Sequence, residues 1–234
     1  PVQVGVQTTA VRLGAHKRDT LQVDVNSNGI ADPGDTVRYT VIITNPDTIP
    51  QAGVLFTDYL DANTTLSGTV KTTPLAFDDG YQCVGNTTLT VAAASGLLAN
   101  DVDPDGSTGL TATFPVTATA QGGTVVASST DGAFTYTAPV GYRGLDSFDY
   151  VLTDADGGTD MGTAWITVDE MVWFINNAAP TAGDGRLGSP FNSLAAFNVA
   201  QTRTGARDPA AGDIIYVYQG SGSYNNGIAL KAGQ

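Results

Sequence analysis

The chain of 234 residues is poor in the side chains that carry most catalytic and zinc chemistry. It has one cysteine, Cys83, and one histidine, His16. A single cysteine cannot form an intrachain disulfide, and one Cys with one His cannot build the usual protein zinc site. His16 lies in a polar run, so most hydrolase triads lack their imidazole base. We therefore expect no disulfide, no zinc and no catalytic residue, with Cys83 as a small buried hydrophobe.

Positive charge and long apolar runs are also scarce. Ten Lys and Arg residues are scattered against 23 acidic residues, which gives a net charge of −13. Nucleic-acid binding needs a basic stripe that neutralises phosphates, so we expect no nucleic-acid partner. No apolar run reaches the length of about 18 residues that a membrane helix requires, so no membrane span is predicted. No signal peptide follows Pro1, and this start suggests a processed or excerpted chain.

The acidic residues are almost all aspartate. The chain has 22 Asp against a single Glu, Glu170. Aspartate hydrogen-bonds nearby backbone and so favours turns and metal loops over helices. Together with the abundance of Thr, Val and Gly, this bias favours an extracellular all-β protein, with a halophilic protein as the alternative.

The stretch D-V-N-S-N-G-I-A-D-P-G-D, residues 24–35, has the spacing of a loop that wraps oxygen ligands around Ca²⁺. Gly29 stands where such a loop turns sharply. The closing residue is an aspartate instead of the usual glutamate, so its reach is shorter and moderate affinity is expected. The flanks are strand-like, so we predict the loop without the EF-hand fold; the alternative is a polar turn that binds no metal. The predicted ligands are Asp24, Asn26, Asn28, the Ile30 carbonyl, Asp32 and Asp35.

Residues 1–74 are predicted as the first domain. Strand-like runs occur at Val2–Val6, Thr36–Thr44 and Gly53–Leu60, and the second of these alternates apolar and polar residues as a half-buried strand does. The calcium-type loop followed by T-V-R-Y-T-V-I-I-T-N and G-V-L-F-T-D-Y-L resembles the immunoglobulin-like repeat of very large bacterial surface proteins. That resemblance implies a β-sandwich of about seven strands with a structural role.

Residues 75–168 are predicted as the second domain. The motifs A-F-D-D-G-Y, L-L-A-N-D-V-D-P-D-G and D-S-F-D-Y-V-L-T-D-A-D-G-G resemble the cadherin-like repeat of bacterial adhesins. The aromatic residues Tyr142, Phe148 and Tyr150 are expected in its core. Trp165, and Trp173 just beyond the domain, lie in strand-like runs and are also expected to be packed.

Two acidic loops of this second domain are further calcium candidates. Four oxygen-bearing side chains crowd into six residues of the first loop, and their charges would repel without a cation. The second loop follows the strand-like run Phe148–Leu152, and Asp78, Asp79 and Asp146 are possible ligands from elsewhere. The alternative is that both loops are ordinary hairpin turns. The predicted ligands are Asn100, Asp101, Asp103 and Asp105 in the first loop, and Asp154 and Asp156 in the second.

Residues 169–234 are predicted as a third, incomplete segment. A strand M-V-W-F-I-N-N is followed by a Gly/Pro loop, a short helix that Ser193 caps, and strands at Asp213–Tyr218 and Gly227–Lys231. This order resembles the first coil of right-handed parallel β-helix proteins. A solenoid coil buries its open face only against the next coil, and about three are needed for stability. We therefore expect either that the β-helix continues past Gln234 or that another subunit covers the open face.

The predicted architecture is all-β, with two tandem immunoglobulin/cadherin-like β-sandwiches followed by the start of a parallel β-helix with one short helix. The leading functional prediction is an extracellular structural or adhesin segment of a large bacterial surface protein that Ca²⁺ stiffens. Its expected partners are neighbouring modules or subunits of the same protein, and cell-surface or matrix polysaccharide.

Two alternatives stay open. The chain is a self-assembling subunit of an extracellular filament or sheath that donates a strand to its neighbour, or it is a non-catalytic part of a polysaccharide-active β-helix enzyme. The second alternative is weaker because no carboxylates beyond residue 168 form a recognisable acid/base pair. Asp184 and Asp213 in particular are explained as turn residues.

Overall fold

The computed structural model describes residues 13–46, 51, 53–106, 109–115 and 117–234. These residues form ten strands, one α-helix and one short 3₁₀ turn, so the predicted all-β class is confirmed. The chain divides into two compact units, Pro1–Val70 and Lys71–Gln234. The predicted division into three domains stays a prediction.

The first unit contains an antiparallel strand pair, β1 (Gly14–Val23) and β2 (Thr36–Thr44). The strand predicted at Thr36–Thr44 is therefore confirmed. Its apolar face is only partly buried as predicted: Val37 and Val41 are half-buried, whereas Tyr39 is 51% exposed and Ile43 is exposed as well. Within the described part of this unit, no second sheet packs on the pair, which explains the exposure.

The strand predicted at Gly53–Leu60 is wrong, since the described residues of this range have no strand pairing. The range is held to β1 by a side-chain contact instead, an ion pair of 2.5 Å between Lys17 Nζ and Asp58 Oδ2. The predicted strand Val2–Val6 lies outside the described residues. The seven-stranded sandwich stays a prediction.

The second unit begins with two sheets that pack face to face. Their strands are β3 (Asp79–Gly85), β4 (Thr88–Val91), β5 (Thr111–Thr113), β6 (Thr124–Ala127), β7 (Phe134–Thr137), β8 (Gly144–Thr153) and β9 (Thr159–Ile175). In the larger sheet, β9 is antiparallel to β8 and parallel to β3, and β5 pairs with β8. The smaller sheet has the order β4-β7-β6.

The inward-facing residues of both sheets form one apolar core. They include Phe148 and Tyr150, which were predicted there, and Cys83, whose predicted burial is confirmed. Tyr142 packs at the edge of this core and is only partly buried. Such alternation of buried and exposed residues along β8 and β9 is what packing on one sheet face requires.

The last part of the chain builds a second core. It contains the strand β10 (Ile214–Val217) and the helix α1 (Leu194–Gln201). β10 pairs in parallel with the last residues of β9, Val172–Ile175. Strand β9 therefore runs from the sandwich into this segment without a break, across the predicted boundary at 168. The second core consists of Met171, Trp173, Ile175, Phe191, Leu194, Phe197 and Ala200.

The predicted cap of the helix is confirmed, because Ser193 Oγ accepts the Ala196 N–H at 3.2 Å. Leu194 and Phe197 of the helix face the core, whereas Val199 is exposed. Phe197 follows Leu194 by three positions, so the two share a face, whereas Val199 lies on the other side of the helix.

The strand predicted at Gly227–Lys231 is wrong. Its backbone polar groups bond to side chains of α1 instead of to another strand. Asn198 Nδ2 donates to the Gly227 carbonyl at 2.8 Å, and the Ala229 N–H donates to Asn198 Oδ1 at 2.9 Å. The β-helix itself stays a prediction, and the parallel pairing of β10 with β9 is the feature that resembles it.

Candidate functional site

The 24–35 loop connects β1 to β2 and is closed by its own carboxylates. Gly29 has φ of +77°, the left-handed conformation that its sharp turn requires. The Asp24 carboxylate accepts the Gly29 N–H at 2.7 Å, and this bond is the main reason that the pKa of Asp24 is lowered. At the other end, Asp35 accepts the N–H groups of Val25 (2.8 Å) and Asp32 (3.0 Å).

Two further predicted ligands of this loop, Asn26 and Asn28, contact Asp32. Asn26 Nδ2 lies 3.2 Å from both Asp32 oxygens, and Asn28 Nδ2 lies 2.8 Å from one of them. The Ile30 N–H donates to Asn28 Oδ1 at 2.7 Å. Three carboxylates, two amides and one carbonyl are the oxygen donors that a hard cation such as Ca²⁺ prefers. In this structure the carboxylate and amide oxygens accept hydrogen bonds from within the loop itself.

The 100–105 loop holds the first residues of the second unit. Asp105 Oδ2 accepts the Thr72 N–H at 2.6 Å, and Asp101 Oδ1 accepts the Phe77 N–H at 2.8 Å. Asn100 Nδ2 donates to the Phe77 carbonyl at 3.2 Å, while Asp103 Oδ1 accepts the Asp105 N–H at 3.3 Å within the loop. The four predicted ligands therefore have structural roles at the start of this unit.

The 154–156 loop has one carboxylate oxygen without a partner. Asp154 is 5% exposed, and its Oδ1 accepts the N–H groups of Asp156 and Gly158, both at 2.8 Å. Its Oδ2 is buried and has no hydrogen-bond partner among the described residues. Asp156 forms an ion pair of 2.6 Å with Lys71 Nζ. An orphaned buried carboxylate oxygen is a group that a proton or a cation would satisfy.

A second orphaned oxygen belongs to Asp79, at the start of β3. Its Oδ2 is buried without a partner among the described residues. Burial, followed by the nearby negative charge of Asp101, raises the pKa of Asp79 to about 6. Burial also raises the pKa of Asp101, whose carboxylate accepts the Tyr150 hydroxyl at 3.2 Å. The charged forms of the Asp79 and Asp101 carboxyl groups are therefore both disfavoured here.

The other possible ligands mentioned for this domain have different partners. Asp78 Oδ1 accepts the Thr163 N–H at 3.0 Å on the outer side of the sheet. Asp146 is buried and accepts the hydroxyls of Thr119 (2.5 Å) and Tyr136 (2.8 Å). In the described part of the chain, no group of three or more Asp, Glu, His or Cys side chains is arranged to hold a metal ion.

The contacts that join the two cores of the second unit could not be predicted from the sequence. Asn86, between β3 and β4, is buried with φ of +63°. Its Nδ2 donates to the Val172 carbonyl at 3.0 Å, its Oδ1 accepts the Gly141 N–H at 2.9 Å, and its carbonyl accepts the Leu187 N–H at 2.9 Å. The Asn86 side chain thus links β9 to a turn of the sandwich, and its backbone carbonyl adds a loop of the last segment.

Asp213 is the second residue of this joint. It was interpreted from the sequence as a turn residue. In the structure it is 5% exposed and accepts the Trp173 indole N–H at 2.8 Å. No local pattern marks its buried contacts, because Trp173 and Arg143 lie 40 and 70 residues away in the sequence. Only the position of an aspartate directly before the apolar run I-I-Y-V offered a signal.

Comparison with known proteins gives one family. Residues 71–170 match the bacterial cadherin-like domain. No curated protein matches the chain. Among solved structures, a nucleoside hydrolase-related hypothetical protein from Saccharophagus degradans that is associated with carbohydrate metabolism shares 14% identity with a TM-score of 0.31. The match covers 42% of this chain and 26% of that protein, so the chain spans about a quarter of its length.

No helix in the described ranges has the length and apolar character needed to cross a membrane. The family match confirms the predicted cadherin-like segment, and the immunoglobulin-like and β-helix resemblances stay predictions. Residues 71–170 are thus similar to the bacterial cadherin-like domain, a surface or adhesin-type module typical of extracellular proteins.

Proposed function

We propose that the chain is a structural segment of a bacterial surface protein, that its acidic loops bind Ca²⁺, and that it has no catalytic activity. The observation that carries the proposal is the position of two candidate loops at the start of the cadherin-like segment. Thr72 is bonded to Asp105, and Lys71 is paired with Asp156. These are the first two residues of the second unit.

The carboxylates at this position hold the chain in one conformation. Each backbone N–H bonded to Asp101 or Asp105 fixes one residue of the 72–77 segment. The orphaned oxygen of Asp154 belongs to the loop that also carries Asp156. A bound Ca²⁺ would supply positive charge that offsets the repulsion of these carboxylates. Millimolar calcium over a dissociation constant of about 10⁻⁴ M gives about 1–2 kcal/mol per site.

The 24–35 loop is the second part of the proposal. Asp24, Asn26, Asn28, Asp32 and Asp35, with the Ile30 carbonyl, would hold the ion between β1 and β2. Among the described residues the strand pair is a sheet of only two strands, so its stability depends strongly on the loop that closes it. Calcium would therefore stiffen both units.

Thermal unfolding with Ca²⁺, with excess chelator and with equal Mg²⁺ tests this proposal. A lower melting temperature in chelator, restored by Ca²⁺ and not by Mg²⁺, is expected. Melting that is identical in all three conditions would contradict calcium binding and leave an acidic β-module without metal.

A self-assembling filament subunit is the second candidate. One observation favours it: among the described strands β10 pairs only with β9, and Ile214 and Tyr216 on β10 are exposed. An unpaired strand edge is a place where another chain adds a strand. Sedimentation at increasing protein concentration distinguishes the two candidates. A surface segment stays monodisperse, whereas a filament subunit forms open assemblies of increasing size.

A further inference from the structure

Trp165 is the exposed aromatic side chain at the centre of the larger sheet. It was expected to be packed, and that prediction is wrong, since Trp165 is 41% exposed while Trp173 is 2% exposed. Side chains alternate between the two faces of a strand. Ala164 and Ile166 beside it on β9 are fully buried, so Trp165 faces outward from the sandwich.

The neighbours of Trp165 leave its ring accessible. In register with it lie Gly80 on β3 and Ser147 on β8. Both residues are small, and a Cβ at Gly80 would meet no atom within 4 Å. A shallow recess lined by Gly80, Tyr81, Gln82, Trp165 and Thr167 therefore opens beside the indole.

The indole is held in place by polar contacts at its edge. Its Nε1 lies 3.4 Å from Asp78 Oδ2, and Asp78 Oδ1 accepts the Thr163 N–H at 3.0 Å. Thr163 Oγ1 in turn donates to Asp149 Oδ1 at 2.9 Å. The ring is thus supported on a rigid central strand by groups that are themselves bonded, which is the preorganisation that a binding site needs.

We propose that this outer face, centred on Trp165 and bordered by Asp78, Asp149, Gln82 and Thr167, binds a neutral polysaccharide. The apolar C–H face of a pyranose ring packs on an indole, as apolar surface does. The carboxylates accept hydrogen bonds from sugar hydroxyls, and the Gln82 amide and Thr167 hydroxyl donate and accept. The inference gives a ligand class to the surface segment proposed above and rests on that function.

The charge of the face selects among polysaccharides. Asp78 and Asp149 flank the indole, and Asp169 follows on the same strand. A uronic acid or a sulfated sugar would place a negative charge beside these carboxylates, which costs free energy. A neutral, hydroxyl-rich chain avoids this repulsion and satisfies their hydrogen-bonding capacity.

A polar ligand also suits the face better than a protein partner does. A protein interface has an apolar centre that is depleted of charge. Here the carboxylate of Asp78 contacts the indole itself. Burying it under a protein without a positive partner would carry a large desolvation cost.

Affinity electrophoresis of the full chain tests the proposal. The gels contain mixed-linkage β-glucan, galactomannan or xylan as neutral probes, and polygalacturonate as the anionic probe. We expect retardation by at least one neutral probe and none by polygalacturonate. Trp165→Ala is expected to weaken binding at least ten-fold. Met161→Ala, which removes another exposed apolar side chain from the same face of β9, is the matched control and should bind as the parent does.

Gly80→Val provides a second variant that keeps the indole. The added side chain enters open space, fits a strand, and covers the ring. We expect loss of binding with an unchanged melting temperature. The proposal is overturned if no neutral probe retards the chain, if Trp165→Ala or Gly80→Val binds like the parent, if polygalacturonate binds equally well, or if a protein partner proves to occupy the face.

The gels and the thermal unfolding described above, both run with Ca²⁺ and with chelator, separate this inference from the proposed function. Calcium-dependent melting without retardation would overturn polysaccharide binding alone. Retardation without calcium-dependent melting would leave a polysaccharide-binding module and overturn the calcium-stiffened segment.

Discussion

The Arg143 guanidinium and the Asp213 carboxylate form an ion pair in which one nitrogen, Nη2, lies 2.5 Å from both carboxylate oxygens. Arg143 belongs to the turn that leads into β8, and Asp213 directly precedes β10. Asp213 also accepts the Trp173 indole N–H and the Ala210 N–H, both at 2.8 Å. One carboxylate thus joins the sandwich to the core of the last segment.

We expect Asp213→Asn to lower the free energy of unfolding of the second unit by about 3 kcal/mol. The change removes the charge that pairs with Arg143 and disturbs the bonds to Trp173 and Ala210. Urea unfolding followed by tryptophan fluorescence measures it. The matched control is Asp184→Asn, which breaks the more exposed pair of Asp184 with Arg186 and should cost less than about 1 kcal/mol. Equal effects of both changes would contradict a joint centred on Asp213.

Asn86→Ala is expected to destabilise the second unit by about 3 kcal/mol. It leaves the Val172 carbonyl and the Gly141 N–H buried without their partner, and it places alanine at positive φ. Asn226→Ala is the control for backbone strain alone, because exposed Asn226 has φ of +74°; about 1 kcal/mol is expected there. Differential scanning calorimetry of both variants separates the two contributions. If they are equally destabilised, the hydrogen bonds of Asn86 contribute nothing.

Asp79→Asn is expected to raise the melting temperature at pH 7.5 in chelator and to change it little at pH 4. The pKa of Asp79 is about 6 in the folded chain, above its ordinary value of 3.8. The folded state therefore binds the proton more tightly, so stability from this group is present below about pH 4 and is lost as pH rises through about 6. Asp78, Asp101, Tyr81 and Tyr150 surround it, and an amide removes the repulsion from Asp101.

The measurement is thermal unfolding from pH 4 to pH 8 in chelator. Asp131→Asn is the control, because hydrogen bonds from Ser128 and then from the backbone lower the pKa of exposed Asp131 instead of raising it. That variant should show no gain at neutral pH. A destabilised Asp79→Asn protein at pH 7.5 would show that the charged carboxylate has a stabilising partner.

Asp24→Ala is expected to reduce the apparent calcium affinity of the first unit at least ten-fold. The change removes the first predicted ligand and also the bond that fixes the Gly29 turn. Calcium titration monitored by melting temperature measures the effect. Asp61→Ala, in an exposed turn of the same unit outside the loop, should leave the titration unchanged. A titration of Asp24→Ala that matches the parent would exclude the 24–35 loop as the site.

Local patterns could be predicted, and long-range packing could not. The cap at Ser193 and the strand Thr36–Thr44 depend on neighbours within a few residues, so the sequence contains their cause. Trp165 and Trp173 lie in similar strand patterns, yet one faces outward and the other enters a core. That difference depends on which residues the sheet and the helix α1 cover.

The same distinction between local and long-range features holds for the candidate calcium loops. Their ligand spacing and the Gly29 turn are local and could be read directly. The contacts of Asp105 with Thr72 and of Asp156 with Lys71 depend on the course of the whole chain. The strands predicted at Gly53–Leu60 and Gly227–Lys231 failed because a strand needs a partner, and in the second case α1 side chains take that place.

The unbroken course of β9 has a mechanical consequence. Its 17 residues span about 55 Å and contribute to both cores of the second unit. No flexible linker that a pulling force could extend therefore separates the two cores. Under load, the two cores should rupture together in a single event, and this segment would transmit tension as one stiff element.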